Sequence, residues 1–166
     1  MKQLFTTLFI LTNYIAFCQT NDSIVIKGIT TEYSLYSVEK RLENVVIHVY
    51  EYNTKVNSHK TDAKGKFEFN ILKNSYTILE FVKDDFITKR MLFDTRTETE
   101  IKNTKPFNIE IVMIEAKEGV DCSDLDFPIT YIKYIEEDND FNYVEKYTKL
   151  MMKEQEKILV KLNKFN

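Results

Sequence analysis

The sequence contains few of the residues that interrupt regular structure or that build covalent and metal-bound frameworks. Its 166 residues include three Gly, two Pro, two Cys, two His and no Trp. So little Gly and Pro excludes a low-complexity chain. A formal net charge of −3 lacks the basic excess that phosphate neutralisation needs, which argues against nucleic acid as a partner.

Apolar and aromatic residues are plentiful instead. They make up 43% of the chain, and 10 Tyr and 12 Phe provide material for packing between β-sheets. The length suits one domain, or one small domain with an appendage.

The N-terminus has the pattern of a secretory leader. Lys2 precedes a mostly apolar stretch, residues 4–17, which is too short and too interrupted to anchor the chain in a bilayer. Ala16-Phe17-Cys18 resembles a cleavage site, so we predict a signal peptide over residues 1–18 and a periplasmic or secreted protein. Acylation of Cys18 as in a lipoprotein is the less favoured alternative, because Phe17 is not small.

Removal of Cys18 would leave Cys122 without an internal disulfide partner. A buried or idle thiol is the favoured interpretation, and pairing between chains stays open.

Short β-type segments follow one another through the first two thirds of the chain, and no helix-period segment separates them. This spacing predicts a mainly β fold over residues 21–116, a seven-stranded antiparallel, Ig-like sandwich. Gly28 inside the first segment indicates a bulge or a close backbone approach. The seven predicted strands are residues 23–31, 44–53, 56–60, 65–71, 76–83, 86–93 and 106–115.

A turn between two of these strands is the strongest local signal. Asp62 can accept backbone N–H bonds within its own turn, and Gly65 can take a positive φ to close it. Phe67 and Phe69 then alternate with polar residues, which predicts that both rings lie between the sheets.

The character of the chain changes after the last of these strands. Residues 117–141 are rich in acidic side chains and predict a linker or docking segment, in which residues 129–135 form a possible short strand. Asn142 and Glu145 have the spacing of a capping box, which predicts an amphipathic helix over residues 142–165. The apolar stripe predicted for this helix is Val144, Tyr147, Met151, Ile158, Leu162 and Phe165.

The segment Lys60-Thr61-Asp62-Ala63-Lys64-Gly65-Lys66-Phe67-Glu68-Phe69 resembles the T-D-x-x-G-x-F-x-F signature of the carboxypeptidase regulatory-like family. Ile26-Lys27-Gly28 and Tyr76-Thr77-Ile78-Leu79 match weaker family features, and the resemblance covers residues 23–115. Asn44 and Asp85 stand where the family usually has Gly. The resemblance implies a transthyretin-like β-sandwich that is a non-catalytic spacer, stabiliser or binding unit of bacterial envelope and secreted proteins.

Enzymatic and metal-binding patterns are weak. His48 and Glu51 mimic a zinc-binding HxxE pair, but positions three apart on a strand face opposite sides of the sheet. The transthyretin-fold hydrolases that form the enzyme alternative end in a Tyr-Arg-Gly-Ser-type motif, which this C-terminus lacks. We therefore predict no catalytic residues, no metal and no cofactor.

The sequence offers two further chemical sites, and neither is favoured. Lys27, Asn108 and Glu80 could form an isopeptide bond of the kind found in pilin-like domains, but three solvent-facing polar residues are the simpler interpretation. Calcium could bind Asp121, Asp124 and Asp126 or residues 138–142, but the second run lacks the Gly and final Glu of an EF-hand loop.

The functional prediction is a non-enzymatic structural or protein-binding module of the bacterial cell envelope with an envelope protein as partner. The alternative is an accessory subunit that docks through its C-terminal helix onto a larger envelope complex. The lysines of this helix leave association with a membrane surface open, and the interleaved Glu145, Glu154 and Glu156 weaken it. Packing of the helix on its own sandwich is the favoured interpretation.

Overall fold

The computed structural model describes residues 23–34, 40–102 and 105–164. The predicted leader, its cleavage site and Phe165 lie outside these residues. The described elements are β1 (Ser23–Glu32), β2 (Lys40–Arg41), β3 (Val46–Glu51), β4 (Thr54–Lys60), β5 (Lys66–Leu72), β6 (Tyr76–Val82), β7 (Lys89–Asp94), β8 (Phe107–Met113), a 3-10 turn (Ser123–Leu125), β9 (Thr130–Ile135), β10 (Asp140–Tyr143) and α1 (Glu145–Asn163).

The strands form two sheets. In the first sheet, β1 lies between β5, with which it is antiparallel, and β8, with which it is parallel; β2 continues the β5 side. The second sheet has the order β10-β9-β7-β6-β3-β4. The mainly β sandwich with an added C-terminal helix is thereby confirmed.

The predicted strands correspond to β1 and β3 to β8, but two features of the prediction were wrong. The sandwich is not wholly antiparallel, because β1 pairs with β8 and β7 pairs with β9 in parallel. It also has more than seven strands in its described part. Both parallel pairs join strands whose connection crosses between the sheets, and such connections can bring strands together in the same direction.

The segment predicted as a linker supplies two of the extra strands. Ile132, Tyr134 and Phe141 are buried, at 0%, 4% and 7% exposure, where β9 and β10 extend the second sheet. Residues 117–141 therefore include sheet strands and are not only a linker. In β9, apolar residues alternate with polar ones and cover one end of the core.

The core lies between the two inner faces. Residues at every second position of β3, β5 and β6 are buried, and for β5 this is the alternation that the sequence predicts. The side chains that are almost wholly buried there include Ile26, Val45, Ile47, Ile71, Leu79, Phe81, Phe93, Ile111, Met113 and Ile132.

The turn from Asp62 to Gly65 is built from hydrogen bonds. The backbone N–H groups of Lys64 and Lys66 each donate to Asp62 Oδ1 at 2.8 Å. These bonds lower the pKa of the Asp62 carboxyl. Gly65 has φ of 69°, and a Cβ there would lie 2.7 Å from the Thr30 carbonyl oxygen, so both conformation and space require glycine. Phe67 and Phe69, which follow, are each 6% exposed.

Gly28 marks a close approach and not a bulge. The register of β1 against β5 and β8 is uninterrupted around it. A Cβ on Gly28 would lie 2.3 Å from the Ile109 carbonyl oxygen and 2.6 Å from the Phe67 ring. The missing side chain thus lets the Phe67 ring fit beneath the first sheet.

The two departures from the family pattern occur at left-handed residues. Asn44 has φ of 57° and Asp85 has φ of 68°. Asn and Asp tolerate this region better than other side chains, so they can stand where glycine is usual.

The helix α1 starts later than predicted, and its predicted capping box was wrong. Asn142 belongs to β10, where it pairs with Lys133 of β9, and Val144 precedes the helix without a side-chain cap. Asn142 is therefore part of the sheet and, contrary to the local pattern, does not cap the helix. Met151, Ile158 and Leu162 form the buried side of the helix. No helix in the described part is long and apolar enough to cross a membrane.

Candidate functional site

The C-terminal helix is fixed to the sandwich by an apolar cluster of its own. Ile158 and Leu162, at 0% and 4% exposure, pack with Ile87, Ile114 and Leu125 at one end of the sheets. This cluster is separate from the main core between the sheets. The helix therefore closes an end of the sandwich that would otherwise expose apolar surface to water.

Polar contacts fix the same helix along its length. Lys89 Nζ donates to Gln155 Oε1 at 2.8 Å, and the Thr130 and Thr148 hydroxyls lie 2.9 Å apart. The Tyr147 hydroxyl donates to the Pro128 carbonyl oxygen at 2.7 Å. Lys89 is only 3% exposed, and burial lowers its pKa to about 8.

The opposite side of the helix faces solvent and carries a regular pattern. We call it the outer stripe. It consists of residues spaced alternately four and three apart, which places them on one side of an α-helix. Its apolar members, Leu150 and Val160, are 54% and 56% exposed. The members of the outer stripe are Lys146, Leu150, Lys153, Lys157, Val160 and Lys164.

Charge on the outer stripe is only partly compensated. Lys157 Nζ lies 2.8 Å from Glu154 Oε1, and outside the stripe Lys149 Nζ lies 2.7 Å from Glu145 Oε2. Helix and C-cap together carry six Lys and three Glu over residues 145–164, whereas the whole protein has a net charge of −3. A basic surface thus stands out on an acidic protein.

The HxxE pair does not form a metal site. The pairing of β3 with β6 is regular from Val46 to Glu51, so His48 and Glu51 face opposite sides of the sheet. His48 Nδ1 lies 3.1 Å from Ser58 Oγ. In the part of the chain that the structure describes, no group of three His, Cys, Asp or Glu side chains could hold a metal ion.

The three residues considered for an isopeptide bond are only partly brought together. Lys27 and Asn108 are register neighbours on β1 and β8, but Glu80 lies in the other sheet. Lys27 Nζ instead pairs with Glu68 Oε2 at 3.1 Å and its side chain is 40% exposed. The isopeptide bond requires a lysine amine that is buried next to its partner, and this side chain is exposed and ion-paired instead.

The aspartates considered for calcium are engaged separately. Asp121 Oδ1 accepts the Ser123 N–H at 2.9 Å, which lowers the pKa of the Asp121 carboxyl. Asp126 lies 3.6 Å from Arg90, and Asp124 lies 3.9 Å from Lys161.

Cys122, between these aspartates, is half-buried. Its thiol lies 3.6 Å from the Val120 carbonyl oxygen. Burial raises the pKa of this thiol, which keeps it protonated at neutral pH.

Sequence reasoning missed a network on the outer face of the second sheet. Arg96 donates to both oxygens of Asp94 at 2.8 Å, and the Tyr131 hydroxyl donates to Asp94 Oδ2 at 3.0 Å. The Arg96 bonds lower the pKa of Asp94, whereas burial and the Asp94 bond raise the pKa of Tyr131 to about 12. No sequence signal joins Asp94 to Tyr131, because only the parallel pairing of β7 with β9 brings them together.

Comparison with known proteins identifies no family. No protein-family model and no curated protein matches the sequence. Among solved structures, the Bacillus anthracis TIE protein is similar with a TM-score of 0.41 and 13% identity, over 56% of this chain and 18% of that one.

Two other solved proteins are similar to the same degree. The group B streptococcus pilus 2b backbone protein has a TM-score of 0.39 and 12% identity, over 57% of this chain and 42% of that one. The 3-chlorocatechol 1,2-dioxygenase from Rhodococcus opacus has a TM-score of 0.40 and 8% identity, over 57% and 60%. The chain spans less than two thirds of each of the three, and likeness this low transfers neither family nor function.

Proposed function

We propose that this protein is a non-enzymatic, secreted or periplasmic binding module of the bacterial cell envelope. Its helix α1 presents the outer stripe to an acidic surface on an envelope protein. The observation that carries the proposal is the division of the helix into a side fixed on the sandwich and a lysine-rich side turned outward. The predicted leader and the family resemblance support the location.

Rigid attachment makes the outer stripe suitable for binding. Met151, Ile158 and Leu162 already hold the helix in place, so a partner would not need to order it. The exposed lysines would steer an acidic partner during encounter, and Leu150 and Val160 would supply apolar contact at its centre. Such a surface combines the basic and apolar groups of a helix that binds in a groove.

A protein is a better partner than a lipid surface. Only Leu150 and Val160 interrupt the lysines of the outer stripe, so the stripe would insert little apolar area into a bilayer. Glu145 and Glu156 lie beside it and would be repelled by anionic headgroups, whereas a folded partner can match both signs of charge.

Charge reversal on the helix tests this proposal. The full chain is expressed with its own leader, purified after export and used for cross-linking and capture from envelope extracts of its native host. We expect Lys146→Glu with Lys153→Glu to reduce capture of the cross-linked partner by roughly tenfold or more. Cross-links from the wild-type protein are expected to join helix lysines to an acidic patch of that partner.

The matched control is Lys55→Glu with Lys60→Glu, an equal change of charge on exposed edge strand β4. Circular dichroism and thermal unfolding show whether each variant keeps the fold. If both double variants lost capture equally, net charge alone would explain the loss, and a binding site specific to the helix would be contradicted. Binding to anionic vesicles with no protein partner would contradict the choice of partner.

A further inference from the structure

The outer face of the second sheet carries an unusual concentration of tyrosines. Cross-strand register places Tyr50 beside Ile78, Ile78 beside Leu92 and Leu92 beside Tyr131, so two rings flank an apolar centre. Tyr76 lies two positions before Ile78 on β6, and so on the same face. Tyr147 from α1 adjoins them, because its ring centroid lies 6.3 Å from that of Tyr131. Tyr52 follows β3, and its backbone N–H donates to the Tyr76 carbonyl oxygen at 3.3 Å. We call these five residues the tyrosine face: Tyr50, Tyr52, Tyr76, Tyr131 and Tyr147.

Most of these rings are held in place. The Tyr50 hydroxyl donates to Glu80 Oε2 at 3.1 Å, the Tyr131 hydroxyl to Asp94 and the Tyr147 hydroxyl to the Pro128 carbonyl oxygen. The guanidinium of Arg96 lies 5.1 Å from the centre of the Tyr76 ring. Rings fixed in advance offer apolar contact area at little entropic cost to binding.

The charged groups among the tyrosines neutralise one another. Arg90 donates to Glu80 Oε1 from Nε at 2.9 Å and lies 2.8 Å from it through a second nitrogen. Asp94 and Arg96 form the second such pair. Arg90 is also 3.6 Å from Asp126, and Lys133, the register partner of Asp94, is exposed on the same face. Three cationic groups therefore accompany three carboxylates, and their net charge of zero favours neither an anion nor a cation.

A shallow cavity opens where the apolar and polar parts meet. It has a volume of about 260 Å³ and is lined by Tyr50, Asn53, Ile78, Glu80 and Arg90. This volume is below the range of roughly 300–1,000 Å³ typical of sites for drug-sized ligands, so it suits a single ring. Its lining combines an aromatic ring and an aliphatic side chain with donors and acceptors, which is what a ring with one apolar face and many hydroxyls requires.

We infer that the tyrosine face binds a neutral oligosaccharide, with one sugar ring in the cavity beside Tyr50 and neighbouring units along Tyr52 and Tyr76. Tyr50 and Ile78 would contact the apolar face of the sugar ring. Asn53, Glu80 and Arg90 would exchange hydrogen bonds with its hydroxyls. This surface is distinct from the outer stripe, so the inference does not depend on the proposed function.

Titration with defined neutral sugars tests the inference. The full chain, exported and purified, is titrated with maltohexaose, cellohexaose and N-acetylglucosamine hexamer up to roughly 10 mM, a range that covers millimolar affinity. Because the chain lacks Trp, the fluorescence of its tyrosines is not masked, and the amide resonances assign any change to particular residues. We expect at least one sugar to change this fluorescence saturably and to shift the amide resonances of Tyr50, Asn53 and Ile78.

Variants then locate the site. Tyr50→Ala is expected to weaken the binding by about tenfold or more, whereas Tyr50→Phe, which keeps the ring, retains most of it. The matched control Tyr143→Ala removes a ring that is 43% exposed on β10 and packs near Phe107, and it is expected to leave the affinity unchanged.

Three outcomes would overturn the inference. They are no response to any of the three sugars, equal affinity in Tyr50→Ala and wild type, and resonance shifts confined to another surface. If a proline-rich peptide bound at the same residues and no sugar did, the tyrosine face would be a site for extended peptides, and the inference would again be contradicted.

Discussion

The amine of Lys89 is buried between the second sheet and the helix, where it donates a hydrogen bond to the side chain of Gln155. Burial lowers the pKa of this amine to about 8, from the ordinary 10.5. Between these two pH values the unfolded chain holds a proton that the folded chain releases. The free energy of unfolding is therefore highest above pH 10.5, where the amine is neutral in both states, and it decreases as the pH falls towards 8.

Substitution of Lys89 by Met removes this pH dependence. We expect Lys89→Met to raise the free energy of unfolding at pH 7 by roughly 1–3 kcal/mol, because the thioether needs no hydration. Urea denaturation at pH 7 and at pH 10 measures the gain, which should shrink at the higher pH. Lys60→Met on exposed strand β4 is the control and should change little; a gain independent of pH would contradict the explanation.

Asp85 supports a second prediction at the level of single residues, since its φ of 68° lies in the left-handed region. We expect Asp85→Ala to lower the free energy of unfolding by about 1 kcal/mol, and Asp85→Gly to stay within roughly 0.5 kcal/mol of wild type. Asp84→Ala, one position earlier in the same turn, serves as the control. Equal effects of Ala and Gly at position 85, measured by urea denaturation, would show that the side chain and not the backbone determines the result.

At the scale of elements, α1 contributes to stability through one side only. Ile158 is 0% exposed and Val160 is 56% exposed, although they lie two positions apart. We expect Ile158→Ala to lower the free energy of unfolding by roughly 3 kcal/mol, because it leaves a cavity between helix and sandwich. Val160→Ala should cost less than about 0.5 kcal/mol.

Chemical denaturation followed by circular dichroism measures this difference. A single transition that includes helix and sheet signals is expected, since the helix forms its apolar cluster with residues of the sandwich. If the helix melted separately and Ile158→Ala left the sheet transition unchanged, the helix would be an independent appendage.

The elements that the sequence predicts well are those with local signals. Alternation identified the segments of β3 and β5, a run of β-forming residues identified that of β6, and the Asp62 to Gly65 turn lies between two strands as expected. β9 was only a possible strand and β10 was absent from the prediction, because charged turns surround both. The capping box failed because Asn142 pairs with β9, a long-range contact that local spacing does not report.

The site was less predictable than the fold for the same reason. The lysines of α1 are visible in the sequence, but the side that packs on the sandwich depends on Ile87, Ile114 and Leu125. The tyrosine face likewise depends on the register of β3, β6, β7 and β9. Register sets which side chains share a face, and a pattern of period two does not specify the partner strand.

At the scale of the whole molecule, two surfaces of different character lie on one small sandwich. The outer stripe is basic, whereas the tyrosine face is aromatic and its ion pairs balance. One surface is proposed for an acidic protein and the other for a neutral sugar, so the two could be occupied together.

The central position of β1 in its sheet has a consequence for biosynthesis. β1 is the first described strand to be synthesised, and Ile26 pairs with Phe107 of β8. One edge of β1 is therefore covered only after β8 has been made. A chain interrupted before residue 107 would leave one edge of β1 open as a template for pairing with other polypeptides.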